Sequence, residues 1–413
     1  MLNVLLAQVA ASGDPLYQGT IGLPEVLITL LKVVICFVFL LVATMFMVWF
    51  ERKVIAGMQN RIGPNKAGPF GILQTLADGI KSFFKERINP ERADPFVYRL
   101  APYLAFVPAF LIFTVIPVGG DFANGNDGVV TIAGHETLLQ VADPPMGILF
   151  ILALSSIAVY GIMLAGWSSG SKYPLLGSVR ASAQMVSYEA ALGLSVATVI
   201  LVAGTLSTNG IVAAQATMRD WNIVATGVLP FVVFVIAVTA ELNRPPFDLV
   251  EAEQELVGGF NTEYSSIGFA LFYLAEFMNT VTMSAVIVTL FLGGPQPLFG
   301  IDVPFIPGAI QGVIWFFLKL LLFLFMYVWF RATLPRFRYD QLMDLGWKVL
   351  IPVAFGWFLF LTTLRVTRDL GWTRSGQFLA GGAAVVVAVA AYALLTAALR
   401  VSARERETHG SVF

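Results

Sequence analysis

Five ionisable residues lie inside or beside long apolar runs of the sequence, where charged side chains are rare. They are Lys32, Glu189, Glu241, Glu276 and Lys319. A charged residue within a membrane helix costs at least about 2.5 kcal/mol on insertion scales, so it needs a partner, water or a function. Lys32 lies near the start of its run and is expected to snorkel to the surface, whereas Glu276 and Lys319 lie deeper. Snorkelling does not readily explain these two deeper residues.

The densest group of carboxylates begins at Glu241, where one apolar run ends. Arg244 and six acidic residues share this stretch, the acidic residues being Glu241, Asp248, Glu251, Glu253, Glu255 and Glu263. Pro245 and Pro246 must end the preceding helix, because proline has no N–H to donate. Carboxylates this close repel when all are ionised, and burial favours the protonated form, so some could exchange protons near neutral pH. The pattern fits a proton relay that Glu189 and Glu276 extend into the membrane; a solvated acidic loop is the alternative.

The composition indicates what must position these residues. Of 413 residues, 57% are apolar and only 12% are charged, about half the charged share of soluble domains. The expected fold is therefore an all-α polytopic membrane protein, a single integral membrane domain over 1–413 with no room for a separate soluble one. Nine membrane spans are predicted, at approximately 25–49, 100–118, 146–167, 187–206, 223–241, 266–292, 309–332, 345–364 and 377–399.

Several classes of chemistry are excluded by what the chain lacks. It has one cysteine, Cys36, and two histidines, too few for an iron–sulfur cluster, a haem or a zinc site, so no metal is expected. It has no P-loop, nucleotide fingerprint or Ser-His-Asp set, and its net charge of −1 argues against nucleic-acid binding. Residues 1–15 do not read as a cleavable signal. Any electrons must therefore reach this chain from a partner.

Lysine and arginine in the loops predict the orientation. Segment 51–99 carries nine of them, whereas the N-terminus and the loops 119–145 and 293–308 carry none. Loop 365–374, with Arg365, Arg368 and Arg374, opposes this bias but is outvoted. The positive-inside rule therefore predicts an external N-terminus and a cytoplasmic C-terminus in the bacterial plasma membrane.

The basic segment 51–99 also contains an amphipathic pattern. From Leu73 to Arg87, apolar residues recur at helical spacing, and charged residues occupy the other face. The pattern predicts an interfacial helix, which could frame a lateral opening for a lipid-like substrate. The alternative is a loop helix packed against its own bundle.

Three loop motifs resemble a known family. They are Glu51-Arg-Lys-Val-Ile-Ala-Gly-Met-Gln-Asn-Arg61-Ile-Gly-Pro-Asn65 with the following Gly68-Pro-Phe-Gly-Ile-Leu-Gln-Thr-Leu-Ala-Asp78-Gly-Ile-Lys81; Glu241-Leu-Asn-Arg-Pro-Pro-Phe-Asp248 continuing to Tyr264; and Trp329-Phe-Arg-Ala-Thr-Leu-Pro-Arg-Phe-Arg-Tyr-Asp-Gln-Leu-Met343. In this order, within about residues 20–365, they resemble the membrane-arm protein of NADH:quinone oxidoreductase, the respiratory complex I, that joins the peripheral arm. The span at 377–399 is an addition relative to the shortest members.

The resemblance implies a role in the respiratory chain. Such a protein forms a quinone chamber with partner subunits and couples quinone reduction to proton transport, as part of a translocase without its own redox centre. The matching quinone-passage residues are Arg52, Arg61, Asp78, Lys81 and Arg244. The matching coupling residues are Glu241, Asp248, Glu251, Glu253, Glu255, Glu189, Glu276 and Lys319. Ubiquinone or menaquinone would be the substrate. The implied partners are the peripheral-arm subunits with the iron–sulfur clusters and quinone site, and the small membrane subunits.

Two other functions remain open from the residues. The chain could be the membrane subunit of a related energy-converting hydrogenase, which would share the acidic path without the quinone. It could also be an independent proton-coupled transporter, which would work as an isolated chain in liposomes. The basic, amphipathic first loop favours the quinone-reducing complex, because it suits an amphiphile that enters from the lipid.

Overall fold

The structure is a computed structural model that describes residues 13–18, 21–122, 127–249, 253–300 and 306–410. Its helices are α1 (Leu23–Met58), α2 (Gln74–Phe84), α3 (Pro95–Phe113), α4 (Gly147–Ser168), α5 (Lys172–Ala203), α6 (Thr208–Ala213), α7 (Asn222–Ala225), α8 (Val228–Glu241), α9 (Glu253–Leu256), α10 (Ser266–Phe291), α11 (Gly308–Thr333), α12 (Tyr339–Asp344), α13 (Ile351–Asp369) and α14 (Arg374–Gly410). A π-helical segment, Leu345–Leu350, joins α12 to α13. Short 3-10 turns occupy Pro15–Tyr17, Pro69–Gly71, Gly259–Asn261 and Leu298–Gly300.

The expected all-α membrane fold is confirmed. In the described ranges, eight helical stretches are long and apolar enough to cross a membrane, and they match eight of the nine predicted spans. The span predicted at 223–241 is shorter than expected. Gly227, at φ +81°, separates α7 from α8, and the 14 residues of α8 rise only about 21 Å. That is less than the roughly 30 Å of a bilayer core.

Two helices continue well past the apolar runs that predicted them. α1 has 36 residues and α5 has 32, which correspond to lengths of about 54 and 48 Å. The span predicted at 187–206 therefore belongs to a helix that starts 15 residues earlier. These extensions place Glu51 and Arg52 on α1, and Arg180 and Gln184 on α5, as rigidly held helical positions.

The bundle is organised around α10. In the most apolar part of this helix 83% of the residues are buried, and it packs against α1, α3 and α11. Three buried or half-buried hydroxyls on α10 donate to carbonyls one turn back, as Thr280 does to Glu276 at 2.9 Å, so these side chains leave no unsatisfied donor. The α3–α4 contact is close because Gly161 has no side chain: a Cβ there would lie 2.6 Å from the Ala105 nitrogen.

A small antiparallel hairpin, β1 (Val129–Ile132) and β2 (His135–Leu138), caps the end of the bundle near the start of α1. No strand is predicted there. The hairpin explains Lys32, which does not snorkel. The Lys32 ammonium lies 2.8 Å from the fully buried Asp14 carboxylate and 2.5 Å from the Thr137 hydroxyl of β2. A buried ion pair therefore satisfies this charge.

Several helices leave apolar faces exposed in the isolated chain, among them α2 and α14. α2 ends at Phe84, three residues before the end of the amphipathic pattern predicted from Leu73 to Arg87. It contacts α1 and α10, and its side chains Ile80, Phe83 and Phe84 remain exposed. α14 packs on α13, and most of its valines and leucines are also exposed.

Candidate functional site

A cavity of about 410 Å³ opens where α1, α10 and α11 come together. Its lining comprises Val48, Glu51, Arg52, Ile55, Arg61, Ile62, Gly63, Pro64, Tyr273, Phe277 and Arg331. Three arginines and one glutamate thus face a space whose other walls are aliphatic and aromatic. The volume is in the range of small-molecule sites, and the lining suits an apolar molecule with a polar head that becomes negatively charged.

Of the residues predicted for the quinone passage, Arg52 and Arg61 line this cavity. Asp78 lies outside the lining but holds Arg52, with 2.8 Å between the Arg52 Nη1 and the Asp78 Oδ2. The Tyr273 hydroxyl lies close to the Arg52 guanidinium. The Arg52–Asp78 pair is about 40% exposed on both sides, so it orients the guanidinium without contributing much stability. Lys81 is exposed on α2 and is not part of the lining.

Arg244 lies behind the cavity, and only 2% of its surface is exposed. Its Nη1 is 2.5 Å from the Glu51 Oε2, and its Nη2 is 3.6 Å from the Glu276 Oε1. Arg331 binds the other oxygen of Glu51, and the Arg244 guanidinium lies 4.5 Å from the centre of the Phe277 ring. Glu51 is therefore shared by two arginines, and Arg244 by two glutamates. Such a network is stable only while every member keeps its partner.

On the far side of Arg244 is a smaller cavity of about 70 Å³. Glu241, Asp248 and Glu276 all contribute to its wall, together with asparagines such as Asn261. The Glu241 Oε2 and the Asn261 Oδ1 are buried and have no hydrogen-bond partner among the described residues. Buried polar atoms beside a cavity of this size are typically satisfied by water. The structure therefore brings three of the predicted coupling residues to one space with the dimensions of a few water molecules.

Two adjacent serines of α4 extend this cluster to Glu189. The Ser155 hydroxyl lies beside the Glu241 carboxylate and donates to the Leu152 carbonyl at 3.0 Å, and Ser156 donates a hydrogen bond to Glu189. Glu241 and Glu189 are also close enough to interact electrostatically. Glu276, Glu241 and Glu189 consequently form a continuous series through the small cavity and the two hydroxyls.

The rest of the acidic stretch is held by arginines. The Asp248 Oδ2 lies 3.0 Å from the Arg336 Nη2, and the Glu255 Oε2 lies 2.6 Å from the Arg180 Nη1. Glu255 is 59% exposed, unlike Asp248, so its surroundings are closer to those of a solvated loop. Glu251 and the side chain of Glu253 lie outside the described part of the chain.

Lys319 is not brought together with these carboxylates. Its ammonium donates to the backbone carbonyls of Leu292, Gly294 and Gln296 at 2.7, 2.9 and 2.7 Å, and it lies 4.5 Å from the centre of the Trp221 ring. These carbonyls follow the C-terminus of α10, 16 residues after Glu276, which corresponds to about 24 Å along a helix. The three donors of the ammonium are thus used to hold a loop at the opposite end of the bundle.

Three residues of the site were not predicted as site residues: Glu51, Tyr273 and Arg331. Glu51 and Arg331 stand inside the loop motifs, each at the end of an apolar run, and a charge in that position is a signal that could have identified them. Tyr273 has no such signal, because only the packing of α10 against α1 places it beside Arg52.

The fold and this cluster define a multi-pass α-helical membrane protein with a network of carboxylates and arginines centred on the buried pair Arg244 and Glu51. Within the described residues, no group of three or more histidine, cysteine or acidic side chains could hold a metal ion.

Residues 31–362 match the family model described as NADH dehydrogenase, and the chain belongs to that family. It is similar to the H subunit of the NADH-quinone oxidoreductase of Frankia alni, with 54% identity over 362 residues, 86% of this chain and 77% of the relative. The protein of the same name from Frankia casuarinae is 53% identical over 360 residues, again 86% and 77% of the two chains. That from Streptomyces avermitilis is 49% identical over 363 residues, 87% and 78%. The resemblance drawn from the three loop motifs is thereby confirmed.

Proposed function

We propose that this chain is the membrane subunit of an NADH-quinone oxidoreductase that forms a quinone chamber with partner subunits and couples quinone reduction to proton movement. The observation that carries the proposal is the unbroken series of ionisable residues between the 410 Å³ cavity and Glu189. It runs from Glu51 through Arg244, Glu276 and Glu241. The name of the relatives supports quinone as the substrate.

The large cavity suits the headgroup of ubiquinone or menaquinone. Ile55 and Phe277 offer apolar surface to a ring, and Arg52, Arg61 and Arg331 offer charge to its oxygens. Reduction of a quinone takes up two electrons and two protons, and it passes through negatively charged forms when electrons arrive first. Fixed positive groups around the cavity favour that charge, because they are already oriented when it develops.

The network behind the cavity would transmit the change of charge. A negative headgroup competes with Glu51 for Arg331, and this competition alters the interaction of Glu51 with Arg244. Arg244 then changes its interaction with Glu276, and a proton can move between Glu276, Glu241 and Glu189 through water and the two serine hydroxyls. Asp248 borders the same cavity. Glu251, Glu253 and Glu255 are proposed to assist as members of the same acidic stretch of the sequence. We leave Lys319 outside this path and assign it to the opposite loop.

The proposal also fixes the surroundings of the chain. Electrons come from the iron–sulfur clusters of peripheral-arm subunits, and these subunits cover the cytoplasmic side that carries the 51–99 and 241–265 loops. The N-terminus is external and the C-terminus cytoplasmic in the bacterial plasma membrane. The exposed apolar face of α2 lies at the membrane interface, and the additional helix at 377–399 lies against lipid or a small membrane subunit.

Photolabelling of the purified complex tests the quinone site. An azido-quinone should label the peptides that contain residues 48–64 of α1 and its following loop, or 273–277 of α10, and an excess of unlabelled quinone should remove the label. The matched internal control is the outer cavity near Asp143 and Asn209, which has the same volume of about 410 Å³ but is lined by two aspartates, Asp127 and Asp143, instead of three arginines. Label distributed equally between the two cavities, or resistant to competition, would contradict the quinone assignment.

A further inference from the structure

We infer that Gln184 is a positioning residue for the coupling network, because its side-chain amide closes the turn that carries Arg244. The inference rests on the proposed function and adds a residue that neither touches the large cavity nor ionises. Gln184 lies on the extension of α5 that precedes the predicted span, and it is fully buried.

The amide of Gln184 faces three oxygens on the two arms of one turn. Its Nε2 donates to the Ala240 carbonyl at 2.7 Å, to the Phe247 carbonyl at 2.8 Å and, more weakly, to the Asn243 Oδ1 at 3.2 Å. Residues 240 and 247 lie on either side of Arg244. One side chain therefore joins the end of α8 to the segment that follows the turn, and the three acceptors fix which end of the amide is the nitrogen.

The turn needs an external donor because of its own sequence. Pro245 and Pro246 supply no N–H, so the backbone bonds that hold Arg244 are few. They are those from the Arg244 N–H to the Thr239 carbonyl at 3.3 Å and from the Phe247 N–H to the Arg244 carbonyl at 2.8 Å. Without the Gln184 donor, the Ala240 and Phe247 carbonyls would lose a buried hydrogen-bond partner and the two arms could separate.

Separation of the two arms would change the distances from Arg244 to Glu51 and Glu276. Arg244 reaches Glu51 at 2.5 Å and Glu276 at 3.6 Å only while its backbone stays in place, and Glu241 is the residue next to Ala240. A shift of about 1 Å in the turn changes hydrogen bonds on which a positioned site depends. The expected effect is thus on quinone binding, through Glu51 and Arg331, and on proton movement, through Glu276 and Glu241.

The chain provides a matched control in Gln215. This second fully buried glutamine donates its Nε2 to the Ile211 and Thr289 carbonyls at 3.2 and 3.0 Å, and it holds the loop at the opposite end of the bundle. Gln184 and Gln215 are equally buried, so replacing either one removes a side-chain amide from a comparable environment. If Gln184 has a purely structural role, its replacement should affect quinone KM and proton translocation no more than replacement of Gln215 does.

The experiment compares Gln184→Met, Gln184→Glu and Gln215→Met in the assembled complex, with Glu276→Gln as a reference for the proposed function. Methionine retains the approximate volume without donors, and glutamate retains the shape but has no donor when ionised. We measure the KM for quinone and the number of protons translocated per NADH oxidised in reconstituted liposomes. Both quantities are independent of how much complex assembles.

The expected result is a rise in quinone KM of about fivefold for the two Gln184 variants, the factor associated with one ordinary hydrogen bond, together with fewer protons per NADH. Gln215→Met should leave both quantities unchanged even where it lowers the yield. Unchanged values in either assembled Gln184 variant, or failure of both to assemble while Gln215→Met assembles, would leave Gln184 with only a folding role and overturn the inference. An unchanged proton ratio in Glu276→Gln would instead count against the proposed function.

Discussion

Arg244 and Glu51 form a buried ion pair, with 2.5 Å between Nη1 and Oε2, that connects the wall of the large cavity to the carboxylates behind it. Glu51 faces the cavity and also binds Arg331, whereas Arg244 faces away from it towards Glu276. Through this pair, a charge in the large cavity can change the electrostatic interactions of the carboxylates around the small cavity. Its disruption should therefore impair both quinone turnover and coupling.

We expect Glu51→Gln to reduce NADH:quinone reductase activity by at least about tenfold, because loss of one charge from a buried pair costs roughly 2–5 kcal/mol. Reduction of ferricyanide by NADH should be retained, because we expect this artificial acceptor to take electrons directly from the partner subunits. Glu91→Gln, at an exposed carboxylate of the same loop, serves as the control and should match the unaltered complex. If both substitutions lowered quinone activity to the same extent, the buried pair would have no special role.

Substitution of Glu241 tests the path inside the membrane. Glutamine retains the shape and the contact with Ser155 but cannot release or accept a proton. Glu241→Gln should therefore reduce the number of protons translocated per NADH by at least about half, without changing electron entry to ferricyanide. The measurement is proton uptake by reconstituted liposomes. Glu136→Gln, on the exposed face of β2, is the control, and an equal loss in that variant would point to assembly rather than proton transfer.

Much of the fold could be predicted from the sequence because the bilayer imposes one strong rule. A spanning helix must be long and apolar, and eight of the nine spans satisfy it visibly. The ninth predicted span, which corresponds to α8, does not satisfy the rule because the helix is too short. Most of α8 is buried among its neighbours, and burial within protein produces the same apolar sequence pattern as burial in lipid. The β1–β2 hairpin has only four residues in each strand, too few for a reliable alternation.

The candidate site could be predicted only in part. Charges inside apolar runs indicated Glu189, Glu241 and Glu276, which the structure brings together through shared contacts and the small cavity. The same rule selected Lys319, whose environment is different. A sequence indicates the cost of a buried charge but not its partner, and backbone carbonyls satisfy an ammonium as well as a carboxylate does. Gln184 is uncharged, so no rule about charge could have identified it.

We expect Lys319→Met to lower stability while leaving coupling intact in the complex that assembles. The substitution removes the shared partner of three carbonyls, so a loss of about 2–3 kcal/mol in the free energy of unfolding is expected. The proton-to-NADH ratio of the assembled complex should not change, because Lys319 lies far from Glu276. Thermal-unfolding midpoints and proton uptake on the same preparations test both parts. A reduced proton-to-NADH ratio together with an unchanged thermal-unfolding midpoint would indicate that Lys319 takes part in the proton relay.

The last prediction concerns Asp143, a buried carboxylate outside the membrane spans. Burial raises its pKa above the ordinary value of 3.8, although hydrogen bonds from Ser207 partly oppose that rise. The Ser207 Oγ lies 2.8 and 2.9 Å from the two carboxylate oxygens, and it also caps α6 by accepting from the Gly210 N–H at 3.1 Å. Ser207→Ala therefore removes the cap of α6 at every pH. It removes a hydrogen bond to a charged carboxylate only at pH values where Asp143 is ionised.

The sign of the pH effect follows from linkage. A folded-state pKa above the unfolded value makes the protein lose stability as pH rises from about 3.8 through the folded pKa, and the loss is complete above it. Ser207→Ala raises the folded pKa further, so its extra destabilisation of about 1–2 kcal/mol should appear at pH 7.5 and be smaller at pH 4. The loss of the cap, about 1 kcal/mol, should be the same at both. In an Asp143→Asn background, the effect of Ser207→Ala on the thermal midpoint should no longer depend on pH. A pH-independent difference in the native background would show that Asp143 is not ionised in the folded protein.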